Sequence, residues 1–575
     1  GLSIPPYTSW LTAADSIQKC INICVFGDTI YVANGVYQEQ LVMIPGLSMI
    51  GAGTDSCWID SRQLVTMQNY KTIDMKDSCL VKGFYILSTN NFDFGYGIHA
   101  EDQAGLITEN KFSNANIGIN IYGSNAIVYK NYCFNVRGGI FVTNSNSIVR
   151  RNLINMNIEG TDGIVIKAFT DDYSPVIDSN EILNVYDTGI FKFFGSRPVI
   201  KNNNIQVKYS MGIDMMQSDS AKVFNNVIYN AGNAGINSST NMNLIVYNNY
   251  IQGKQTSIGI KVGPNSIIKN NVVTNTNSGI GKYGTQDPVV QFNNSWSNAI
   301  NYDGVAADTT NLSVNPMIVN GDSTQGKLDF HLQMFSPLIN AGDPNLLDKD
   351  STRSDIGLYG GPYGESYIYI DFPPRPPVNL TANVDSLIKL NWNKNTEADF
   401  GFYKVYRDTI FDFTADSTKL IASITDTFYY QTFPSNIETL YYKLTAVDNQ
   451  GNESNPSEQV YVKLVSVKNE WVPVNNYILY QNYPNPFNPS TRIGYKLKER
   501  GYVKLYVYDI KGELVSVLVN EFQEAGYYEV EFNSAVSHSG EAWNLASGVY
   551  IYQILVSDDR SIPVFSDIKK MIYLK

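Results

Sequence analysis

Between residues 110 and 294 the apolar and polar positions recur as one short phrase: an asparagine, an outward residue, then an apolar one. The asparagines are Asn110, Asn131, Asn152, Asn180, Asn203, Asn226, Asn249, Asn271 and Asn294. Two positions after each comes Phe112, Cys133, Ile154, Ile182, Ile205, Ile228, Ile251, Val273 or Trp296. A Gly-Ile pair follows, as at Gly118-Ile119, Gly139-Ile140, Gly212-Ile213 and Gly235-Ile236. The spacing, mostly 21 to 23 residues, is that of a solenoid, whose repeats bury their apolar faces only by stacking on one another. Strict alternation over a few residues predicts short strands, with Val227 facing out and Ile228 in. Coils of this length suit three short strands each, and a dozen of them would form a rod on the order of 55–60 Å long. The asparagines are expected to take the left-handed conformation in one tight turn, with amides bonded to the copies above and below.

Residues 12 to 25 carry apolar side chains at helical spacing, which predicts a short helix capping the first coil. The strand pattern GDTIYVANGVYQEQ follows it. Together with the repeats, this opening resembles the right-handed β-helix repeat proteins of the pectate-lyase-like superfamily. The segment SPLINAGDPNLLDKDSTRSDIGLYGGPYG (336 to 364) looks like a closing segment of that family's bacterial surface members. The expected fold is all-β: a right-handed parallel β-helix with an N-terminal capping helix over 1–366, followed by two β-sandwich domains.

A Pro-rich stretch, SYIYIDFPPRPPV, separates the solenoid from the first sandwich, because such a segment cannot continue a sheet. Over 367–467 the alternating strands, Trp392 and Tyr441-Tyr442 resemble a fibronectin type III domain. Over 468–575 the run Pro-Asn-Pro-Phe-Asn-Pro (484 to 489), the Val-Tyr-Asp turn closed by Gly512, and Ser547-Gly548-Val549-Tyr550 occur together. In that order they resemble the C-terminal sorting domain of type IX secretion. The resemblance implies type IX secretion machinery as a partner, and a secreted or outer-surface location in a Bacteroidetes-like Gram-negative bacterium.

Composition narrows the partners. The net charge of −12 argues against nucleic acid and anionic membranes, and no apolar run is long enough to span a bilayer. The chain opens at Gly1 rather than Met, which suits a mature secreted protein and an engineered product equally. Of the five cysteines, Cys57 and Cys79 lie 22 residues apart, so one coil of separation would stack them within disulfide range.

Catalytic groups on such a scaffold would stand as acids and bases at matching offsets, because neighbouring coils place like positions about 4.8 Å apart. The outward rows one and three residues after each Gly-Ile contain no stacked pair of acids. They offer the aromatics Phe141, Phe191 and Phe193 instead. The longest interval, Asn152 to Asn180, includes FTDDYSP, whose loop should bring Asp171 and Asp172 near Lys167, Lys192, Arg197 and Asp214. Lyases of the resembled superfamily use a base with calcium-holding acids, and hydrolases use paired carboxylates. Lys167, Arg197 and Asp214 are therefore the catalytic candidates, with Phe141, Phe191, Phe193, Asp171, Asp172 and Lys192 binding sugar. His99 reads as a turn residue. Asp343, Asp348, Asp350 and Asp355 are spaced like an oxygen-ligand loop for Ca2+. The leading expectation is a secreted structural or adhesive rod that assembles with copies of itself. The alternative is a protein that binds or cleaves extracellular glycans.

Overall fold

The computed structural model describes residues 3–89, 94–101, 105–157, 162–216, 220–239, 243–385, 387–432, 437, 439–463, 476–534 and 545–575. Each coil gives one strand to each of three parallel sheets, and each sheet has twelve strands. The first sheet runs from Thr29–Val32 to Val289–Gln291. The second runs from Gly35–Tyr37 to Asn294–Trp296, and the third from Leu41–Val42 to Ile300–Asp303. Strand alternation sends one row per sheet inward. In the third sheet Ile119 pairs with Ile98 and Ile140, and the row continues through Ile164, Ile190, Ile213, Ile236, Ile260 and Ile280. All of these side chains are fully buried. The Gly-Ile motif has a steric cause: a Cβ on Gly212 would stand 2.3 Å from Ile228 Cγ2 and 2.6 Å from the Gly235 carbonyl. Only glycine lets the inward side chain of the second sheet pass that corner.

The asparagines form a continuous ladder between the first and second sheets. Each Asn Oδ1 accepts both the backbone N–H and the side-chain amide of the Asn one coil earlier. Asn180 donates to Asn203 in this way at 2.9 and 3.0 Å, and Asn203 donates to Asn226 at 3.0 and 2.9 Å. Each Nδ2 also holds a carbonyl of the preceding coil, Ile177 O in the case of Asn203. Two expectations are corrected. The left-handed residue is the one before the ladder Asn (Glu109, Lys130, Arg151, Ser179, Asn202, Asn225, Asn248, Asn270, Phe292), with φ between 48° and 57°. That residue turns the chain, and the next points its amide into the stack. The final rungs are Asn293 and Asn311, not Asn294. Ser295 consequently pairs with inward Val273, while Trp296 pairs with outward Thr274.

The capping helix is shorter than expected, a single turn at Ile17–Ile21 that buries Ile17 and Ile21. Its first amides, Ile17 and Gln18, are held by the Glu39 carboxylate, which satisfies N–H groups that a helix end leaves open. Cys57 and Cys79 occupy different corners. Cys57 opens a second-sheet strand, whereas Cys79 precedes a first-sheet strand and meets the Ile44 carbonyl. The insertion before Lys71–Met75 displaces one from the other, and all five cysteines are free.

Past the last coil the chain doubles back. Ile318–Asn320 and Asp329–Leu332 pair antiparallel, and with Leu338 and Ile356 they pack on Val227, Tyr250 and Val272, the outward face of the second sheet. Asn225 and Asn248 tie this segment down by donating to the carbonyls of Leu358, Gly360, Asp355 and Gly357. The closing segment therefore covers a flank of the solenoid.

Residues 381–463 contribute a three-stranded and a four-stranded antiparallel sheet over Trp392, Tyr403 and Tyr442. The chain separates into two compact units, Gly1–Ser435 with Thr439–Val462, and Lys463–Lys575 with Asn436–Glu438. The boundary expected between 467 and 468 lies outside the described residues. The second unit also has a three-stranded and a four-stranded antiparallel sheet. Its proline-rich motif is built into the core: Phe487 packs on Phe532 and Tyr573, and just before the motif the Asn482 N–H donates to the Tyr552 hydroxyl oxygen. No helix among the described residues is long and apolar enough to cross a membrane.

Asn203→Ala should cost about 2–4 kcal/mol, because it leaves the Asn180 N–H without its acceptor, removes one of the two bonds of Asn180 Nδ2 and takes a donor from the Ile177 carbonyl. Urea denaturation checks this, with exposed Lys222→Ala expected within about 0.5 kcal/mol of wild type.

Candidate functional site

The outward rows of the third sheet fall in the expected register. Phe141, Val165, Phe191 and Asp214 pair in succession, as do Thr143, Lys167, Phe193 and Met216. Phe191 and Phe193 lie 5.8 Å apart by ring centroid, Phe193 touches Phe194, and the Lys167 ammonium stands over Phe169. The result is a partly exposed aromatic strip. The charged candidates do not converge on it. Lys167 and Asp214 are two strands apart, about 10 Å or more. Asp214 is 8% exposed and accepts the Asn237 amide at 2.8 Å. Arg197 is exposed and meets the FTDDYSP loop through its backbone, donating its N–H to Tyr173 O. In that loop Asp171 is half-buried and Asp172 exposed. Lys192 is corrected: it occupies the inward row, is fully buried, and donates to the Met216 carbonyl.

Asp162 went unnoticed in the sequence because it lies two residues before the inward Ile164, outside both rows compared. Burial, then repulsion from Asp187 and Asp214, pushes its carboxyl up to about 6, against a hydrogen bond from Thr188 N–H. Burial also raises Asp214. A carboxyl near 6 can be protonated at working pH, as a general acid requires.

His99 is a strand residue and not a turn residue. It sits in Tyr96–Glu101, 6% exposed, beside the rings of Tyr70 and Tyr96. The Asn120 amide donates to Nδ1, so Nε2 carries the proton and faces Glu101 at 3.5 Å. Burial lowers its pKa, followed by Lys71, which keeps it neutral at pH 7.

The four aspartates of the closing segment act singly. Asp343 holds Lys269 at 2.7 Å, Asp348 takes the amides of Asp355 and Gly361, Asp350 closes a turn on Thr352, and Asp355 receives Asn340 N–H and the Tyr369 hydroxyl. Each carboxylate fastens its own loop. Among the described residues, the three-carboxylate group with mutually close oxygens is elsewhere, at Asp371, Asp399 and Asp448.

A groove of about 1140 Å³ opens where the closing segment stops short of covering the second sheet. Its floor is made of two outward rows, Glu181 with Asn204 and Gln206 with Tyr229, and its walls include Phe330, His331, Tyr359 and Tyr363. His331 stacks on Tyr359 at 3.8 Å and 3° between planes, and its Nδ1 is 2.6 Å from Asp329 Oδ1. On the floor, Asn204 Oδ1 is buried without a hydrogen-bond partner, an acceptor that needs a partner. The sequence held a signal for this groove. The row one residue after each ladder Asn reads Lys111, Tyr132, Leu153, Glu181 and Asn204, and is apolar at Val227, Tyr250 and Val272, where the cover begins.

Comparison with known proteins bears on the solenoid. The family described as right handed beta helix region matches residues 72–228. This chain carries the right-handed β-helix repeat. No curated protein sequence matches it. Similar solved structures include the A-module of a mannuronan C-5 epimerase from Azotobacter vinelandii, 14% identical, covering 50% of this chain and 94% of that one, with a TM-score of 0.30. The polygalacturonase of Erwinia carotovora ssp. carotovora is 12% identical, with 51% and 92% covered and a TM-score of 0.33. An alginate lyase from Paenibacillus sp. str. FPU-7 is 14% identical, with 51% and 96% covered and a TM-score of 0.28. Likeness at this level concerns the β-helix fold alone.

Asp162 sets a pH dependence. Its folded pKa lies above its unfolded value, so the native state binds the extra proton and stability falls as pH rises from about 4 to 6. Asp162→Asn should therefore add about 1–3 kcal/mol at pH 7 and little at pH 4. Urea titrations at the two pH values test the sign.

Proposed function

We propose that this protein is a secreted surface protein whose β-helix is a rigid adhesive scaffold, holding an extracellular glycan strand in the groove on its second sheet. The carrying observation is the groove itself, a large concavity with a polar floor and tyrosine walls. Tyrosine rings offer flat apolar faces to sugars while amides and carboxylates take hydroxyls. The lining charges balance: Arg151, Lys327 and Lys349 against Glu181, Asp329 and Glu365. That balance favours a neutral glycan over a polyuronate. The fibronectin-like domain is the spacer, and residues 468–575 address the chain to type IX secretion.

A second reading, polysaccharide cleavage on the third sheet, is favoured by the raised carboxyls of Asp162 and Asp214 beside the phenylalanine strip.

Glycan-array screening followed by calorimetric titration of the best neutral oligosaccharide tests the proposal. Tyr229→Ala and Glu181→Ala should each weaken binding about tenfold or more, roughly 1.4 kcal/mol, with Phe193→Ala neutral. Binding lost with Phe193→Ala alone, or unsaturated products from a uronate polysaccharide, would move the function to the third sheet.

A further inference from the structure

Asp371, Asp399 and Asp448 place one carboxylate oxygen each within 4.8 Å of the other two. Three parts of the first unit supply them. Asp371 belongs to the Pro-rich stretch after the solenoid, Asp399 immediately precedes the strand Phe400–Asp408, and Asp448 ends the strand Thr439–Asp448. Phe400 pairs with Asp448 across the sheet, and Asn449 N–H donates to Asp399 O at 2.9 Å. The loop before Asp399 rests on the solenoid: Thr396 Oγ1 accepts the Asn315 amide, and Ala398 N–H meets Met317 Sδ. The three carboxylates thus sit where the β-helix, its linker and the first sandwich meet.

Internal hydrogen bonds leave this cluster short of donors. Asn452 gives one amide to Asp371 Oδ2 and Asp448 Oδ2, both at 2.9 Å, and Asp448 Oδ1 takes the N–H groups of Gln450 and Asn452. Asp371 Oδ1 is buried and has no partner. Asp399 is 6% exposed, and among the described residues the one hydrogen bond to its carboxylate comes from its own backbone. Burial raises the Asp399 carboxyl, and repulsion from Asp448, Asp371 and Glu397 adds to it. Buried like charges this close are costly unless a cation lies among them. The donors are all oxygen, with no imidazole or thiolate, which selects a hard cation.

We propose that Asp371, Asp399 and Asp448 form a Ca2+ site, with water completing the shell, that fastens the linker to the first sandwich and stiffens its junction with the β-helix. Calcium accepts six to eight oxygens in flexible geometry, and extracellular modules bind it at about 0.1–1 mM.

The test uses the full chain stripped with chelator, titrated with CaCl2 alone and followed by calorimetric melting and heat of binding. Calcium should raise one melting transition by roughly 4–8 °C or more. Asp399→Asn should abolish that shift, and Asp371→Asn provides a second variant if the first does not fold. Asp350→Asn, in the closing segment, should retain it. In chelator Asp399→Asn should melt at or above wild type, because it relieves repulsion. The proposal is overturned if wild type shows no response up to about 10 mM, ten times the weakest affinity expected, or if the response survives Asp399→Asn. It is equally overturned if the response disappears in Asp350→Asn.

Discussion

Register is the constraint on which this molecule depends, and the asparagine ladder enforces it. A parallel sheet of three-residue strands has few backbone bonds per rung, so a slip of one residue would turn interior isoleucines outward. Each ladder amide engages both neighbouring coils, and a slipped coil would leave buried donors and acceptors open at once. The ladder also offsets the strain of the left-handed residue before it, even where that residue is Glu109, Lys130 or Arg151. Coil length can then vary. The Asn152 to Asn180 interval absorbs 28 residues, and the inward row still pairs Ile154 with Ile182.

Fixed register turns sequence rows into surfaces. On the third sheet the rows deliver phenylalanines in file but leave the acids apart. On the second sheet they deliver a polar floor that becomes apolar at Val227. The closing segment needs that apolar face, and its edge becomes the wall of the groove. The change from Asn204 to Val227 in that row therefore sets both where the cover seats and where the concavity opens.

Much of this was legible in the sequence because its signals were periodic. The interior rows, the three strands per coil and the pairing of Phe141 with Val165 and of Phe191 with Asp214 all follow from spacing. What failed was local. In the Asn-Asn doublets at 202, 225, 248 and 270 the second member is the rung, whereas at 293 the first is, because Phe292 takes the left-handed position there. Lys192 occupies the inward row near a strand end, where its ammonium reaches a carbonyl, so polarity alone misplaced it. Cys57 and Cys79 have a one-coil spacing, but the insertion between them breaks the period. The aspartates of the closing segment have the spacing of a cation loop and use it to cap turns, a chemistry with the same sequence signature. The groove and the Asp371 cluster depend on contacts across long separations, which periodicity does not encode.

These placements divide labour along the chain. A β-helix built on ladders is stiff, so a ligand on its flank meets a surface that needs little ordering on binding. Stiffness is useful to an adhesive protein only if it is transmitted past the end of the rod, where a proline-rich stretch would otherwise act as a semi-rigid joint. The contacts of Asn315 and Met317 with the Thr396–Asp399 loop begin that transmission. The carboxylates of Asp371, Asp399 and Asp448 sit at the same joint and repel one another without a counter-charge. A cation there would convert the repulsion into a clamp that governs how rigidly the rod presents its groove.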